Sequence, residues 1–340
     1  MNRTKTKIAV IAAILVTAGF TSCGETLAEL EFNSNKTMVT GVVGKYDKKP
    51  TKAVIPEGVK VIGDGAFSLC RSLKSVTIPS SVKVIGKYAF SECDSLASVT
   101  LSEGVEEIGE RAFYKCESLK SVTLPEGVKV IGEEAFRECK SFASVTIPDS
   151  VETIGVAAFA DCESVASVTI GNGVKKINTG AFYNCKPLKS VTIPEGVEEI
   201  DRNAFVNCES LTSVTIPNSV KKLSGFKGTA LTSITIPGGV EEIGLGAFQD
   251  CKSLESVEIP SGVTRIGEDA FEKCETLTSV TIPASVKEIR KKAFENCTLL
   301  RSVTFQGTKA QWQAVRKWEI GTFAVQCTDG ELPSQKWHGF

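Results

Sequence analysis

A 23-residue unit recurs along most of the chain, and it leaves few folds open. The unit Ile-Pro-x-x-Val-x-x-Ile-Gly-x-x-Ala-Phe-x-x-Cys-x-x-Leu-x-Ser-Val-Thr begins at Ile55. It returns at Ile78, Leu101, Leu124, Ile147, Ile170, Ile193, Ile216, Ile236, Ile259 and Ile282. Every step is 23 residues except Ile216 to Ile236, which is 20. A unit this small cannot bury its apolar residues alone, so successive units must stack and share one continuous core.

Within the unit, Leu73, Val76 and Ile78 alternate with Ser75 and Thr77, the period-2 pattern of a half-buried strand. Pro79 lacks a backbone donor and ends that strand. Val82 and Ile85 return to the core, and Gly63 or Gly86 breaks the chain before a short helical turn bearing Ala-Phe-x-x-Cys. Phe90 and Cys93 are three residues apart and so share one face of such a turn. Stacking pairs each strand with the next in a parallel sheet along one side, and eleven coils at about 4.8 Å each make a rod on the order of 50 Å long.

With its Leu73-x-x-Val76-x-Ile78 strand, its Ile-Pro and Ile-Gly-x-x-Ala-Phe elements and its Cys, the chain resembles the BspA-like, or treponemal-type, leucine-rich repeat surface proteins. The resemblance runs from about Leu27 to Cys327. The Cys precedes the strand, where general leucine-rich repeats place an Asn or Cys after it. The fold implied is an α/β repeat solenoid: a right-handed leucine-rich array with a parallel sheet on its concave face and short helical or irregular turns on its convex face. Members are typically lipoproteins or secreted proteins that bind host matrix proteins or other cells. The resemblance therefore implies a surface-exposed, adhesin-like binding scaffold, with a structural surface coat lacking a dedicated ligand as the alternative.

The ends follow different rules. Arg3, Lys5 and Lys7 precede the apolar stretch Ile8 to Phe20, too short for a membrane-spanning helix and suited to an export signal. It runs into Phe20-Thr21-Ser22-Cys23-Gly24, which resembles a bacterial lipoprotein cleavage box despite Phe in place of Leu. Residues 1–22 are thus read as a signal peptide and Cys23 as the lipidated, membrane-anchored, extracytoplasmic N-terminus. Residues 23–54 form a linker and strand-turn-strand cap, 55–304 the eleven repeats and 305–340 a C-terminal cap. In that last segment Thr308 to Lys317 reads as a helix, Phe323 to Cys327 as a final strand, and Thr328 to Phe340 as a loose tail.

The chemistry-bearing residues mostly serve stacking. Ten cysteines, one per full repeat from Cys70 to Cys297, lack metal-site spacing, and the single histidine, His338, lies in the tail. They read as buried fillers beside each Phe, with neither metal nor cofactor, and Cys327 packs likewise. Lys176, Glu199, Lys222, Glu242, Arg265 and Glu288 alternate in sign down one column, and Lys129, Glu152, Lys175, Glu198, Lys221 and Glu241 down another, so each charge sits between opposite ones. No nucleophile elbow, phosphate loop or zinc motif points to an enzyme. The net charge of −1 leaves no basic face for nucleic acid.

Two features remain as candidate contact sites for a protein or glycan partner on host matrix or other cells. Ser75, Thr77, Ser98, Thr100, Ser121, Thr123 and their equivalents make a long uncharged hydroxyl face, interrupted by Glu258. That face suits a glycan or an extended polypeptide, and it also follows simply from Ser and Thr being soluble and compatible with strands. The eighth repeat replaces the Ala-Phe-x-x-Cys turn with Leu223-Ser-Gly-Phe226-Lys227-Gly-Thr-Ala-Leu231, so a notch beside Phe226 and Lys227 is expected, unless the deletion is merely tolerated.

Overall fold

The computed structural model describes residues 25–44 and 49–337; the leader, Cys23 and His338 fall outside them. Each repeat makes one coil with three segments: a Ser-Val-Thr strand, a two-residue strand, and a turn carrying Phe. The Ser-Val-Thr strands, such as Ser75–Ile78, Ser98–Leu101 and Ser144–Ile147, pair in parallel with Ser opposite Ser, Val opposite Val and Thr opposite Thr. A one-residue slip would turn every inward Val to solvent, so the alternation itself fixes the register. The two-residue strands, from Val61–Ile62 to Glu288–Ile289, align into a second sheet that the sequence pattern did not announce. It is the longer of the two, with fourteen strands.

The convex helices implied by the resemblance do not form; this part of the α/β reading is corrected. In the segment after each Ile-Gly, backbone N–H groups alternate between two destinations. Ala66, Ser68 and Cys70 donate to the carbonyls three residues back, closing tight turns. Gly65, Phe67 and Leu69 donate instead to Lys87, Ala89 and Ser91 of the following coil, at 2.7–2.8 Å. A helix would satisfy every N–H within itself and leave nothing to bind the neighbour. Alternation requires left-handed residues just before the Ala and just before the Cys: Tyr88 and Glu92 have φ of 56° and 57°, and Arg111 and Lys115 of 52° and 56°. Such backbone costs a side-chain-bearing residue on the order of 1–2 kcal/mol, and it persists because packing on both sides of the turn fixes it.

That packing is a stack of phenylalanine rings. Phe67, Phe90, Phe113, Phe136 and Phe159 follow one another at 4.9–5.2 Å, nearly parallel and essentially without exposure. Beside them the column thiols from Cys93 onward donate to the Phe carbonyl of the preceding coil, as Cys93 does to Phe67 (3.2 Å) and Cys116 to Phe90 (3.1 Å). Every cysteine among the described residues is a buried free thiol. The glycines after the column Ile permit this closeness: a Cβ on Gly155 would meet Glu133 N and Gly132 C at 2.4 Å.

Both ends are covered. At the first coil, Leu30–Phe32 and Met38–Val42 pair antiparallel before joining the short-strand sheet. At the last, the helix Lys309–Ala314, held at its N-terminus by the Thr308–Gln311 capping box, seats fully buried Trp312 against Phe305 and Trp337. Lys317 occupies the column position opposite Ile289; it is buried, and its Nζ donates to Trp312 O and Val315 O. The tail from Thr328 is not loose as expected, because Gly330–Lys336 turns back antiparallel on Thr322–Cys327. Period-based reading misses this hairpin because it has no repeat partner.

Burial drives the thiol pKa values up: Cys251 to about 11, and Cys162, Cys208 and Cys297 to about 12, from an ordinary value of 9.0. A group with a raised folded pKa contributes stability that is present below its unfolded pKa and lost as pH rises through the folded one. The denaturant midpoint should therefore hold steady to about pH 8.5 and then fall, as unfolding stability drops by about 1.4 kcal/mol for each buried thiol at pH 10. A midpoint unchanged between pH 8 and pH 10.5 would show that the thiols titrate normally.

Candidate binding groove

The Ser-Val-Thr sheet is not continuous, and its two breaks have separate causes. It divides into three-, four- and six-stranded parts. The first break lies at Lys120–Leu124, which keeps one isolated bridge between Val99 and Val122. Phe142 stands there in the column otherwise held by Leu, tilted 51° against Phe136, beside a narrow crevice lined by Val122, Leu124 and Val145. The larger ring holds Val122 and Val145 out of pairing, and the smaller Val165 follows it in the next coil.

The second break is at the eighth coil, between Ser213–Thr215 and Ser233–Thr235. The deletion sits on the turn side, yet that side closes up. Phe226 enters the ring stack 5.3 Å from Phe205 and 5.8 Å from Phe248 and is wholly buried. Two of the three inter-coil rungs survive, from Phe226 N–H to Ala247 O (2.9 Å) and from Gly228 N–H to Gln249 O (2.8 Å). Thr229 takes the cysteine's place, 3.3 Å from Cys251 Sγ. The short-strand sheet also passes through, with Glu199, Lys222 and Glu242 in register. The missing length is made up on the third side, where the strands no longer pair.

The expected notch beside Phe226 and Lys227 is therefore corrected. Phe226 belongs to the core and offers a partner nothing. Lys227 is half-buried on the turn side, where its charge acts on Asp269. The opening lies instead on the hydroxyl side, as a groove of about 520 Å³ over the ends of three Ser-Val-Thr strands. Thr169, Thr192 and Thr215 line it in adjacent coils, Asn172 and Asn218 stand towards its ends, and Glu195 lies between them. Ile193, Ile216, Pro194 and Pro217 form an apolar floor.

Local sequence explains the opening. The sixth coil carries Gly171 where most coils carry Pro, and a Cβ there would meet Pro148 O at 2.3 Å. The chain thus leans towards the fifth coil, where Asn172 N and Nδ2 both donate to Asp149 Oδ1 (2.8 and 3.2 Å). The seventh coil is drawn the other way: Gly196 N–H donates to Ser219 Oγ at 3.2 Å, and Ser219 Oγ to Val197 O. Space is left between them. No single motif marks these residues, but Gly171 in the proline column, two coils before a shortened repeat, is a readable signal.

The remaining hydroxyl residues lie as the alternation placed them. Thr77, Ser98, Thr100, Ser121 and Thr123 are exposed and Ser75 half-buried, although Ser121 and Thr123 sit in the first break outside the ladder. Glu258 is exposed in register with Thr235 and Thr281. The alternating charges pair across coils, as Lys176–Glu199 (3.1 Å), Lys222–Glu199 (3.4 Å) and Lys83–Glu106 (2.8 Å) show. Each such exposed pair is worth about 0.2–1 kcal/mol.

Two parallel sheets and a ring stack repeated at this period define a leucine-rich-type solenoid. The model of the BspA type leucine rich repeat region matches residues 45–166, 106–225 and 223–328, and the chain belongs to that family. Its fold and family are those of a protein-binding repeat scaffold. A leucine-rich repeat protein from Bacteroides ovatus is 25% identical, with a TM-score of 0.57 over 88% of this chain and 98% of its own. The T. pallidum leucine rich repeat protein is 35% identical, with a TM-score of 0.50 over 54% of this chain and 87% of its own. A leucine rich cell surface protein from Faecalibacterium prausnitzii is 28% identical, with a TM-score of 0.48 over 85% and 95% of the two chains. No curated protein matches the chain.

Assigning Phe226 to the core makes a direct forecast. Phe226→Ala should lower unfolding stability by about 3–5 kcal/mol, as for other buried aromatics, measured by urea denaturation. An exposed contact residue would leave it unchanged.

Proposed function

We infer that the protein is a lipid-anchored, surface-exposed attachment scaffold of adhesin type, and that its contact with a partner is made at the groove spanning the sixth to eighth coils. The observation that carries this reading is the groove itself. Much of the repeat's charge is spent in inter-coil pairs and most of its apolar surface in the core, whereas here an apolar floor and the exposed hydroxyls of Thr192 and Thr215 face one cleft. A mostly apolar concavity with a few convergent polar groups is the usual form of a binding site. The short apolar leader ending at Cys23 supports anchoring outside the cytoplasm, since acyl chains on that residue would hold the scaffold at a membrane surface.

Two experiments test this. The soluble fragment from Gly24 onward should bind saturably to at least one of a set of matrix proteins, cell-surface glycans and bacterial surfaces. Thr192→Arg, which fills the groove from an exposed position, should weaken that binding at least tenfold without shifting thermal unfolding. Failure to bind any surface overturns the attachment reading, and binding indifferent to Thr192→Arg places the contact elsewhere. For the anchor, Cys23→Ser should abolish incorporation of labelled fatty acid in cells, and persistent labelling overturns lipidation at this residue.

A further inference from the structure

We propose that the groove takes a neutral, extended β-linked oligosaccharide, laid along the solenoid axis with one sugar ring over each coil. The proposal rests on the groove being the contact site and names the chemistry of its ligand.

The first argument is the lining. Thr169, Thr192 and Thr215 supply hydroxyls that both donate and accept, the amide of Asn218 offers both kinds of group, and Asn172, whose Nδ2 is held by Asp149, offers its oxygen. Sugar hydroxyls require such two-way partners. The floor of Ile193, Ile216, Pro194 and Pro217 gives the C–H faces of pyranose rings an apolar surface. No Lys or Arg lines the groove, so nothing there is built to receive a phosphate, sulfate or uronate. The one charged residue in the lining is the carboxylate Glu195, which would repel an anionic ligand.

The second argument is spacing. Thr169, Thr192 and Thr215 are register partners in adjacent paired strands, so they stand about 4.8 Å apart along the stack. The advance of one ring in an extended β-linked glycan is close to this step, so each successive sugar meets an equivalent Thr. An extended polypeptide advances about 3.4 Å per residue and repeats its side-chain direction about every 6.8 Å, out of step with the coils after the first contact.

The groove coils also differ from most others in sequence. The glycine after the column Ile, which admits close approach, is replaced in these three coils by Asn178, Asp201 and Ser224. Asn178 fills the space by donating from Nδ2 to Ile154 O (2.7 Å), and Asp201 accepts from Thr179 Oγ1 (2.8 Å). The same three coils carry the groove.

The test uses the whole soluble fragment, titrated calorimetrically with neutral β-linked oligosaccharides of two to six rings and with phosphorylated or uronate-containing counterparts. Affinity should rise with ring number until three or four coils are spanned and then level off, and the acidic counterparts should bind no better. Thr192→Val and Thr215→Val keep shape and β-compatibility while removing a hydroxyl, and each should weaken binding roughly five- to tenfold with unchanged thermal unfolding. If no neutral glycan binds, yet the fragment still attaches to a surface in a Thr192→Arg-sensitive and protease-sensitive manner, the ligand is a polypeptide. The glycan assignment then falls while the attachment reading stands. If neither glycans nor surfaces bind, both fall.

Discussion

Backbone N–H groups that point along the stack, from one coil into the next, are what the architecture depends on. In most full turn segments three of them, as at Gly65, Phe67 and Leu69, leave their own coil to bind the following one. This arrangement demands left-handed residues at two positions per coil and forbids a helix. It also demands that every coil return to the same height and direction, or the rungs miss. The Phe stack, the thiol-to-carbonyl bonds and the glycine column all serve that return. The ring fixes spacing, the thiol satisfies a second lone pair of the Phe carbonyl, and the glycine lets backbones close to contact distance.

A stack tied in this way transmits a local change around the coil. The eighth repeat loses residues from its turn, but the turn is the most tightly bonded side and closes first. Phe226 keeps its place between Phe205 and Phe248, and the paired strands at Lys222–Leu223 hold. What yields is the Ser-Val-Thr strand, whose ladder breaks between Ser213–Thr215 and Ser233–Thr235. Phe142 shows the same ordering from the opposite cause: excess volume in the Leu column opens the same sheet and leaves the short-strand sheet continuous at Ile131 and Ile154.

How much of this was legible depends on whether a residue's role is set within its own coil or between coils. The inward set, the Ser-Val-Thr register and the buried thiols could be read because period-2 alternation and identical repeats fix them locally. The turn was misread as helical because Phe90 and Cys93 share a face in either conformation; the difference lies in where N–H groups point, which spacing does not encode. The second sheet was invisible because two residues such as Val84 and Ile85 are too few to show alternation. Phe226 was misplaced because deletion was equated with exposure at the same position, while the stack moves the exposure to the other side of the coil.

Recognition in a repeat of this kind belongs to positions where the repeat's own requirements lapse. At Gly155 a Cβ is excluded by backbone at 2.4 Å, and at Phe113 the ring has neighbours on both faces, so neither is free to vary for a partner. At Gly171, Asn178 and Asp201 the consensus is broken and at Asn172 and Asn218 it dictates nothing, and each of these residues is bonded locally or left facing solvent. The groove is the sum of those departures: two turns drawn apart and three coils that lack the column glycine, the last of them shortened. A perfectly regular array would be more tightly bonded and would present only an unbroken hydroxyl face. The irregular coils give up ladder hydrogen bonds on one side, and the concavity that results is the feature the regular repeat does not provide.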